Sequence, residues 1–376
     1  MKHRQLGKNK VSILGFGCMR LPVINDDYGN IDEEEARKQV RYAIDHGVNY
    51  IDTAYPYHQE KSEEFVGRTL QDGYREKVFL ATKCPSWLIR SRSDMDKYLD
   101  IQLERLQTDH IDYYLLHALN KKYWDNYVKH EVFDFIKKAK ASGKIRHIGF
   151  SFHDEYPVFE EILNSYDWDF CQIQMNYFDE EYQAGLKGLK LAGEKGIGVI
   201  IMEPLRGGRL AQQGLGEITE VWEEAEEKHS SAGWALRYLW DYPEVRTILS
   251  GMNDMDHIKE NIAEAKTAEV GMLTEKEKGL INRVKHIYKS RIKVDCTNCK
   301  YCMPCPYGVD IPGNFSFYNN AFIFDDIEHF KNAYHGQMKA ESLANMCQAC
   351  GQCESLCPQN IQIIHELENV WELFKK

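Results

Sequence analysis

Eight of the 11 cysteines in this 376-residue chain lie in two short runs near its C-terminus, and their spacing suits metal binding. The first run reads CTNCKYCMPCP and contains Cys296, Cys299, Cys302 and Cys305. The second run reads CQACGQCESLCP and contains Cys347, Cys350, Cys353 and Cys357. In each run, three cysteines follow one another with two residues between them, and a fourth precedes a proline. This pattern is typical of iron–sulfur proteins that hold their clusters through cysteine thiolates.

In two-cluster ferredoxins the cysteine before proline ligates the other cluster. The same exchange here predicts two [4Fe-4S] clusters, one bound by Cys296, Cys299, Cys302 and Cys357, the other by Cys347, Cys350, Cys353 and Cys305. The first run has two residues rather than three before Cys305, so the position of this cysteine stays open. Four-cysteine zinc sites and disulfides are the alternatives. Zinc sites usually use separated C-x-x-C pairs, and disulfides are rare in a reducing compartment.

A regular order of strands and helices precedes the cysteine runs. After a short hairpin over residues 4–14, apolar runs of strand length alternate with amphipathic stretches such as residues 33–46, 93–106 and 126–141. The expected strands are residues 13–17, 48–54, 78–83, 111–117, 145–150, 170–176, 197–202 and 247–251. Eight apolar strands, each followed by a helix, predict a closed α/β barrel of the (β/α)8 TIM type. No G-x-G-x-x-G follows the first strand, which disfavours a Rossmann sheet.

The barrel is expected to end with a helix over residues 274–289. We therefore predict a barrel domain over residues 1–290 and a second domain over residues 291–376. The centre of the segment between the cysteine runs, residues 319–339, has helical character. The second domain thus resembles an α-helical ferredoxin-like iron–sulfur domain rather than the short two-stranded bacterial ferredoxin.

Four polar side chains stand at the carboxyl ends of expected strands, where barrels of this kind carry their chemistry. Asp52 ends the second strand and Tyr57 lies five residues further on, while Lys83 ends the third strand and His117 the fourth. Each residue alone is explained equally well as a packing tyrosine, a helix cap, a surface lysine or a core histidine. Together, at neighbouring strand ends, they form a set suited to proton transfer.

Several motifs of the barrel region make the chain similar to the aldo-keto reductase superfamily. They are RQLGKNKVSILGFG, YIDTAYPY with Glu63 and Gly67 downstream, TK, IDYYLLH and GKIRHIGFS. The resemblance covers residues 1–285, and with its cysteine tail the chain resembles the branch that carries a C-terminal iron–sulfur domain. It implies reduction of an aldehyde or ketone by NADPH or NADH, with Tyr57 as the proton donor. Tyr55 and Trp87 are implied to line the substrate pocket, with simple packing as the alternative.

A free phenol, with a pKa of about 10, is a reluctant acid. A buried ammonium group beside Tyr57 is expected to lower that pKa, and a carboxylate beside the ammonium to keep it charged. Lys83 and Asp52 are the predicted pair. His117 is expected to hydrogen-bond the substrate oxygen and orient it.

The resemblance also implies a dinucleotide site. Ser151 and Gln172 correspond to partners of the nicotinamide carboxamide, His153 to the usual asparagine, and Met202 to the aromatic residue that stacks on the nicotinamide. The implied contacts to the rest of the dinucleotide are Leu205, Gly207, Gly208, Gly251, Asn253, His257, Glu260 and Asn261. Asn253 and His257 replace the lysine and arginine that usually pair with the 2′-phosphate, which makes NADH as well as NADPH a candidate.

Composition excludes other classes of partner. The net charge of −11, from 47 basic and 58 acidic residues, argues against nucleic acid. No apolar run reaches the length of a membrane helix, and the N-terminus lacks the apolar core of a secretory signal. The expectation is a cytoplasmic protein that acts on a small molecule.

Three hypotheses follow, because hydride transfer moves two electrons whereas a cluster moves one. The first is a nicotinamide-dependent carbonyl reductase whose clusters are structural, regulatory or a port to a redox partner. The second is an iron–sulfur reductase that is supplied by ferredoxin or a bound flavin and uses the barrel pocket. The third is a non-catalytic electron-transfer or redox-sensing protein.

Overall fold

The computed structural model describes residues 1–25, 27–211, 215–296, 298, 300–357 and 359–376. It divides into two compact units. The first comprises Met1–Gln212 and His229–Glu275, and the second comprises Gln213–Lys228 and Lys276–Lys376. The predicted domain boundary near residue 290 stays a prediction, since this division groups residues 276–290 with the second unit.

The strands of the described residues are β1 (His3–Leu6), β2 (Asn9–Ser12), β3 (Leu14–Gly17), β4 (Tyr50–Asp52), β5 (Phe79–Cys84), β6 (Ile111–Leu119), β7 (Ile145–Phe152), β8 (Phe170–Gln174), β9 (Gly198–Met202) and β10 (Val245–Ser250). β1 and β2 form an antiparallel hairpin. The other eight form a closed barrel in the order β10-β3-β4-β5-β6-β7-β8-β9. The predicted (β/α)8 barrel is therefore confirmed.

The register of the barrel brings the strand ends of interest side by side. Asp52 pairs with Ala81 between β4 and β5, and Ser151 pairs with Gln172 between β7 and β8. Gln174 pairs with Met202 between β8 and β9. Because all eight strands are parallel, these residues share the carboxyl end of the barrel.

The helices of the first unit surround this barrel. They are α1 (Glu33–Asp45), α2 (Ser62–Thr69), α3 (Arg92–Arg105), α4 (Lys121–Lys129), α5 (Val132–Ala141), α6 (Tyr156–Ser165) and α7 (Gly185–Glu194), with α9 (Ser231–Trp240) and α10 (Met255–Thr267). In α1, the Asp32 side chain caps the first turn by accepting a hydrogen bond from the Glu35 amide. The buried face of α1 contains Ala36, Val40 and Ile44 at helical spacing.

The second unit is helical in its described parts. Its helices are α8 (Gly216–Glu223), α11 (Glu275–Ser290), α12 (Ile311–Ile323), α13 (Ile327–Gln337), α14 (Gln352–Leu356) and α15 (Ile363–Phe374). The Arg283 guanidinium of α11 forms two contacts, of 2.6 and 2.8 Å, with the Glu224 carboxylate at the end of α8. Among all described helices, none is long and apolar enough to cross a membrane.

Apolar side chains fill the barrel interior and the space beneath it. One cluster joins Leu6 and Val11 of the hairpin to the barrel residues Tyr50, Ala81, Tyr113, Leu115, Phe170, Ile200 and Leu249. A hydrogen bond also joins the hairpin to the barrel, since the Tyr113 hydroxyl donates to the Leu6 carbonyl oxygen at 3.2 Å. Burying each large apolar side chain contributes about 1.5–3 kcal/mol, so the hairpin stabilises the amino end of the barrel and leaves the carboxyl end open.

Two expected helices are each broken into two. The stretch over residues 126–141 spans parts of α4 and α5, because Glu131 adopts a left-handed backbone with a φ of 56°. The stretch over residues 319–339 spans α12 and α13, with Asp325 at a φ of 51° between them. The helical period continues across both breaks, so hydrophobic spacing alone does not reveal them.

Candidate active site

A buried lysine connects the predicted proton-transfer residues. The Lys83 Nζ atom lies 2.7 Å from Asp52 Oδ1, 2.8 Å from the Thr53 carbonyl oxygen and 3.4 Å from the Tyr57 hydroxyl. Lys83 and Asp52 are 1% and 2% exposed. The Tyr57 and His117 rings meet edge to face with 6.3 Å between their centroids. The structure thus brings all four residues together at the carboxyl end of the barrel.

Lys83 and Asp52 each stabilise the charged form of the other. Burial lowers the pKa of Lys83, but the attraction of Asp52 outweighs this and the pKa lies above its ordinary value. Burial raises the pKa of Asp52, and the ammonium group of Lys83 opposes that rise. Lys83 therefore carries a positive charge beside the Tyr57 hydroxyl at neutral pH.

The expected lowering of the Tyr57 pKa is not what the structure gives. Burial raises the pKa of the phenol, and Lys83 offsets only part of that rise, so the pKa lies above its ordinary value. The ammonium still acts in the expected direction. The sequence-based expectation missed the larger desolvation cost of a phenolate at this partly buried position.

His117 is a partly buried, neutral imidazole. Burial lowers its pKa well below the ordinary value, and the positive charge of Lys83 lowers it further. Its Nδ1 atom has no hydrogen-bond partner among the described residues. A neutral imidazole has one N–H group, so this side chain can donate a hydrogen bond to an oxygen held beside Tyr57.

A polar cluster behind the strand holds the backbone of Lys83. The Gln102 amide donates to the Lys83 carbonyl oxygen at 3.0 Å and to the Glu63 carboxylate at 2.5 Å. Thr82 donates to the same carboxylate at 2.6 Å. Glu63 is fully buried, so these bonds fix both α2 and β5 at the base of the site. Glu63 was noticed in the sequence only as part of a motif, and Gln102 gave no signal.

The two predicted pocket residues differ in their surroundings. The Trp87 ring lies 5.3 Å from the His117 ring, centroid to centroid, which places it beside the proton-transfer residues. Tyr55 packs edge to face on Tyr98 at 5.5 Å, with the Arg105 guanidinium 4.5 Å from its centroid. Trp87 is thus next to the site, whereas the described contacts of Tyr55 lie toward α3.

The predicted partners of the nicotinamide lie on adjoining strands. Ser151 accepts a hydrogen bond of 2.8 Å from the amide of Ala118, the residue after His117. The Gln172 amide nitrogen lies 3.5 Å from the Met202 sulfur. His153 contacts Gln183 at 3.4 Å through Nδ1.

Unused hydrogen-bonding atoms mark the same region. Asp52 Oδ2, His117 Nδ1 and Gln172 Oε1 are buried, and the described residues offer them no partner. Buried polar atoms are normally satisfied in native proteins. Their shared position at the carboxyl end of the barrel fits a site for a polar ligand such as a nicotinamide with its carbonyl substrate.

An open groove of about 1080 Å³ adjoins the ends of β9 and β10. Its lining includes the predicted residues Leu205, Gly207, Gly208, Gly251, Asn253, His257, Glu260 and Asn261. Within the groove, Gly207 and Gly208 have φ values of 67° and 90°, which only glycine adopts readily. The structure therefore gathers every predicted contact to the pyrophosphate and adenosine into one groove.

The groove also contains a cation that the sequence pattern did not reveal. Arg20 follows β3 closely, lines the groove and bonds Glu203 with 2.8 Å between Nη2 and Oε1. The aliphatic part of Arg20 packs closely on Gly251. A Cβ atom added to Gly251 would lie 3.2 Å from the Arg20 Cβ. Its place just after a barrel strand was the one available signal, because no motif surrounds it.

The far end of the groove carries neutral and acidic groups. The Ser230 hydroxyl bonds the Glu260 carboxylate, and Asn261 donates to the Ser250 hydroxyl at 3.3 Å. The Asn253 carbonyl accepts a bond of 3.3 Å from Gln39. Among the described lining residues, Arg20 is the single lysine or arginine. A 2′-phosphate would meet little positive charge here.

In the second unit, cysteines from both runs surround one small cavity. Cys296, Cys302 and Cys357 line a space of about 320 Å³ together with the apolar residues Ile311, Pro312, Phe315, Ile361 and Ile363, and with Lys300 and Gln359. Cys299, predicted for the same cluster, lies outside the described residues. Thiol donors from both runs around an apolar space fit an iron–sulfur cluster with exchanged ligands.

Three cysteines of the second run lie near one another. Cys347 and Cys350 lie close enough to Cys353 to raise its pKa, after burial, to about 11. The carbonyl oxygen of Cys305 accepts a hydrogen bond of 3.0 Å from the Gly308 amide. Within the described part of the chain, no three His, Cys, Asp or Glu side chains form a group that could hold a single metal ion.

Two family models match separate parts of this chain. Residues 13–278 match the model of the aldo/keto reductase family, and residues 295–362 match that of the 4Fe-4S dicluster domain. L-galactose dehydrogenase of Arabidopsis thaliana is 29% identical over 285 residues, which cover 69% of this chain and 86% of that protein. The uncharacterized oxidoreductase YqkF of Bacillus subtilis is 27% identical over 323 residues, 77% of this chain and 99% of that protein.

Solved structures show the same barrel. The holo form of aldo-keto reductase AKR11C1 from Bacillus halodurans superimposes with a TM-score of 0.63 at 28% identity, covering 75% of this chain and 96% of that one. An aldo-keto reductase from Klebsiella pneumoniae in complex with NADPH has a TM-score of 0.62 at 23% identity, covering 76% and 95%. The second likeness shows the fold alone.

Proposed function

Because the chain belongs to the aldo/keto reductase family of oxidoreductases, we propose that it reduces an aldehyde or ketone with a nicotinamide dinucleotide, and that Tyr57 donates the proton. One observation carries this proposal. The Lys83 ammonium group lies between the Asp52 carboxylate and the Tyr57 hydroxyl, at 2.7 Å from the first and 3.4 Å from the second. A buried positive charge beside a phenol stabilises the phenolate that remains after proton transfer.

Four side chains of this chain have distinct roles in the proposed reaction. The bound nicotinamide supplies the hydride. Tyr57 holds the proton on its hydroxyl oxygen and gives it to the oxygen of the substrate, while Lys83 stabilises the resulting phenolate. Asp52 keeps Lys83 charged, and the neutral His117 orients the substrate oxygen through an N–H group. Trp87, beside His117, and Tyr55 are the proposed walls of the substrate pocket, which excludes water.

The dinucleotide would bind from the strand ends into the open groove. Ser151 and Gln172 would hold the carboxamide, and Met202 would cover the nicotinamide ring with its polarisable sulfur. The backbone at Leu205 and Gly207, together with Arg20, would meet the pyrophosphate. Gly251, Asn253, His257, Glu260 and Asn261 would surround the adenosine. The Gln172 Oε1 atom, which has no partner among the described residues, supports this assignment. Since Arg20 is the single lysine or arginine among the described lining residues, NADH is proposed as a cofactor beside NADPH.

For the second unit we propose two [4Fe-4S] clusters with exchanged ligands. Cys296, Cys299, Cys302 and Cys357 would hold one cluster, and Cys347, Cys350, Cys353 and Cys305 the other. The cavity lined by cysteines of both runs supports the first set, and the closeness of Cys347 and Cys350 to Cys353 supports three members of the second. Such clusters transfer single electrons, so a redox partner such as ferredoxin is the proposed counterpart.

The reductase activity is tested by anaerobic turnover. The iron-loaded protein is mixed with aliphatic, aromatic and sugar aldehydes or ketones, and the oxidation of NADH or NADPH is followed at equal concentrations. Wild-type protein should turn over at least one carbonyl class, and Tyr57→Phe should lose turnover while it binds the dinucleotide as before. Turnover by Tyr57→Phe equal to that of the wild type would refute the role of Tyr57.

The dicluster match favours one further candidate function, an iron–sulfur reductase supplied by ferredoxin or flavin. It is distinguished by titrating the iron-loaded protein anaerobically with NADH or NADPH. Bleaching of the cluster absorption would show that nicotinamide and clusters share electrons, which requires a two-electron mediator such as a flavin. If the clusters stay oxidised while the dinucleotide binds, the carbonyl reductase is favoured. A protein that binds no dinucleotide and turns over no carbonyl would instead be an electron-transfer or redox-sensing protein.

A further inference from the structure

The turn that follows Tyr57 has an unusual backbone. His58, Gln59 and Glu60 have φ values of 51°, 53° and 69°, which are three left-handed residues in succession. Residues with side chains disfavour this conformation, and non-glycine residues seldom adopt it consecutively. Surrounding contacts must therefore hold the turn, because such backbone persists only where the neighbouring structure determines it.

Several of these contacts come from the segment after β3, described over residues 18–25 and 27–30, which we call the strap. The Cys18 amide donates to the Asp52 carbonyl oxygen at 2.8 Å, which anchors the beginning of the strap to β4. Near its end, the Gly29 carbonyl accepts a bond of 2.8 Å from the Lys61 ammonium group. The strap is thus hydrogen-bonded at both ends of the segment between β4 and α2, which contains Tyr57.

His58 joins two points of the strap through one ring. The Leu21 amide donates to His58 Nε2 at 3.2 Å, and His58 Nδ1 lies 2.7 Å from the Tyr28 carbonyl oxygen. Because Nε2 accepts, the ring proton must sit on Nδ1, which then donates to Tyr28. The rings of His58 and Tyr28 also stack, with 4.4 Å between their centroids. The side chain is fully buried.

The strap also reaches the dinucleotide groove. Arg20 lies in that groove and is the residue before Leu21, whose amide bonds His58. His58 in turn follows Tyr57 directly. The His58 side chain therefore links its own position, directly after Tyr57, to Leu21, directly after Arg20.

We propose that His58 is a positioning residue that holds the Tyr57 hydroxyl in place and keeps it in register with the strap segment that carries Arg20. This role rests on the proposed carbonyl reduction. It requires both hydrogen bonds of His58, since a ring that only stacked on Tyr28 would leave Leu21 unattached. Burial lowers the pKa of His58, which agrees with the neutral ring that these bonds require.

Two substitutions separate the hydrogen bonds from the ring. His58→Phe keeps an aromatic ring against Tyr28 but removes both hydrogen bonds. His58→Gln loses the ring but keeps a donor and an acceptor on one side chain. The matched control is His46→Phe. His46 stacks on Tyr42 at 3.9 Å and contacts the Tyr42 carbonyl at 2.7 Å, but it is exposed at the end of α1.

The first measurement does not depend on activity. Hydrogen exchange of the iron-loaded protein is followed by mass spectrometry in peptides covering residues 18–25 and 56–62. His58→Phe should increase exchange at Leu21 at least tenfold, whereas His58→Gln and His46→Phe should resemble the wild type. Unchanged protection in His58→Phe would overturn the proposal, even if the protein reduced no carbonyl.

The second measurement is turnover with the best carbonyl substrate. We expect His58→Phe to lower kcat by about 10- to 100-fold, as small misplacements of catalytic groups do. KM for the carbonyl substrate should change less than threefold, and His58→Gln should recover most of kcat. Normal kcat in His58→Phe despite lost protection would refute the positioning role. A wild type without carbonyl turnover would refute the proposed function, while the exchange result would still decide whether His58 holds the strap.

Discussion

Arg20 and Glu203 form an ion pair in the open groove beside β9 and β10, with 2.8 Å between Nη2 and Oε1. The arginine follows β3 and the glutamate follows β9, so the pair joins two loops of the barrel that are far apart in sequence. An anionic ligand in this groove competes with Glu203 for the same guanidinium. If the groove binds the dinucleotide as proposed, this pair sets the charge that the ligand meets on entry.

Replacing Arg20 with glutamine should weaken dinucleotide binding by about 10- to 100-fold, because a hydrogen bond to a charged group contributes roughly 1.5–3 kcal/mol. Glu203→Gln should leave binding unchanged or make it tighter, since it frees the guanidinium. The measurement is quenching of protein fluorescence by NADPH and by NADH. The exposed Lys195→Gln is the control for a lost positive charge. Equal affinity in Arg20→Gln and wild type would show that Arg20 does not contact the dinucleotide.

Replacing Lys83 with methionine should damage stability as well as activity. Lys83 is 1% exposed, and its removal leaves the buried Asp52 carboxylate without its partner. Loss of one member of a buried ion pair costs about 3–5 kcal/mol. Urea unfolding should show this loss for Lys83→Met and much less of it for Tyr57→Phe. A Lys83→Met protein as stable as the wild type would mean that Asp52 takes up a proton at little cost.

The neutral, partly buried His117 should make the free energy of unfolding depend on pH. The pKa of His117 is about 6.5 in the unfolded chain and lies well below that in the folded protein. At a pH between these two pKa values, the unfolded chain binds the proton and the folded chain does not. The free energy of unfolding should therefore fall as the pH falls below about 6.5, by up to roughly 1.4 kcal/mol per pH unit from this group. Anaerobic urea titrations between pH 5.5 and 7.5 should give a shallower slope for His117→Gln. Parallel slopes would contradict the neutral state of His117.

The exchange of cluster ligands makes a prediction about pairs of substitutions. Cys357→Ser and Cys296→Ser should each remove about half of the iron, and the double variant should lose no more. Cys357→Ser combined with Cys347→Ser should lose nearly all of it. Iron and sulfide analysis with electron paramagnetic resonance of the reduced protein gives the readout, and Cys171→Ala in β8 is the control. If Cys357 and Cys347 belonged to the same cluster, the outcomes of the two double variants would be reversed.

Much of the fold was predictable from the sequence because its signals are local. Apolar runs of strand length identified all eight barrel strands, and the cysteine spacing identified the 4Fe-4S dicluster domain. The breaks at Glu131 and Asp325 were not predictable, since each depends on a single left-handed residue within a continuing helical period. Backbone geometry of this kind is set by tertiary packing.

The candidate site was predictable where residues follow strands in a known order, as Asp52 and Lys83 do. Arg20 was missed because the sequence does not show that the loop after β3 faces the loop after β9. The direction of the Tyr57 pKa was wrong for a related reason. A neighbouring charge can be inferred from strand order, whereas the degree of enclosure that opposes it depends on the complete fold.

The second unit is assembled from two separate stretches of chain, and this affects its synthesis. Helix α8 leaves the ribosome early, but its partner Arg283 and the remainder of the unit are translated only after the last barrel strand. At about 5–20 residues per second, the chain from residue 228 to its end takes roughly 7–30 s to translate. During that time the apolar side chains Ile218, Val221 and Trp222 have no completed unit to pack into. Nascent chains at this stage are the ones we expect chaperones to bind.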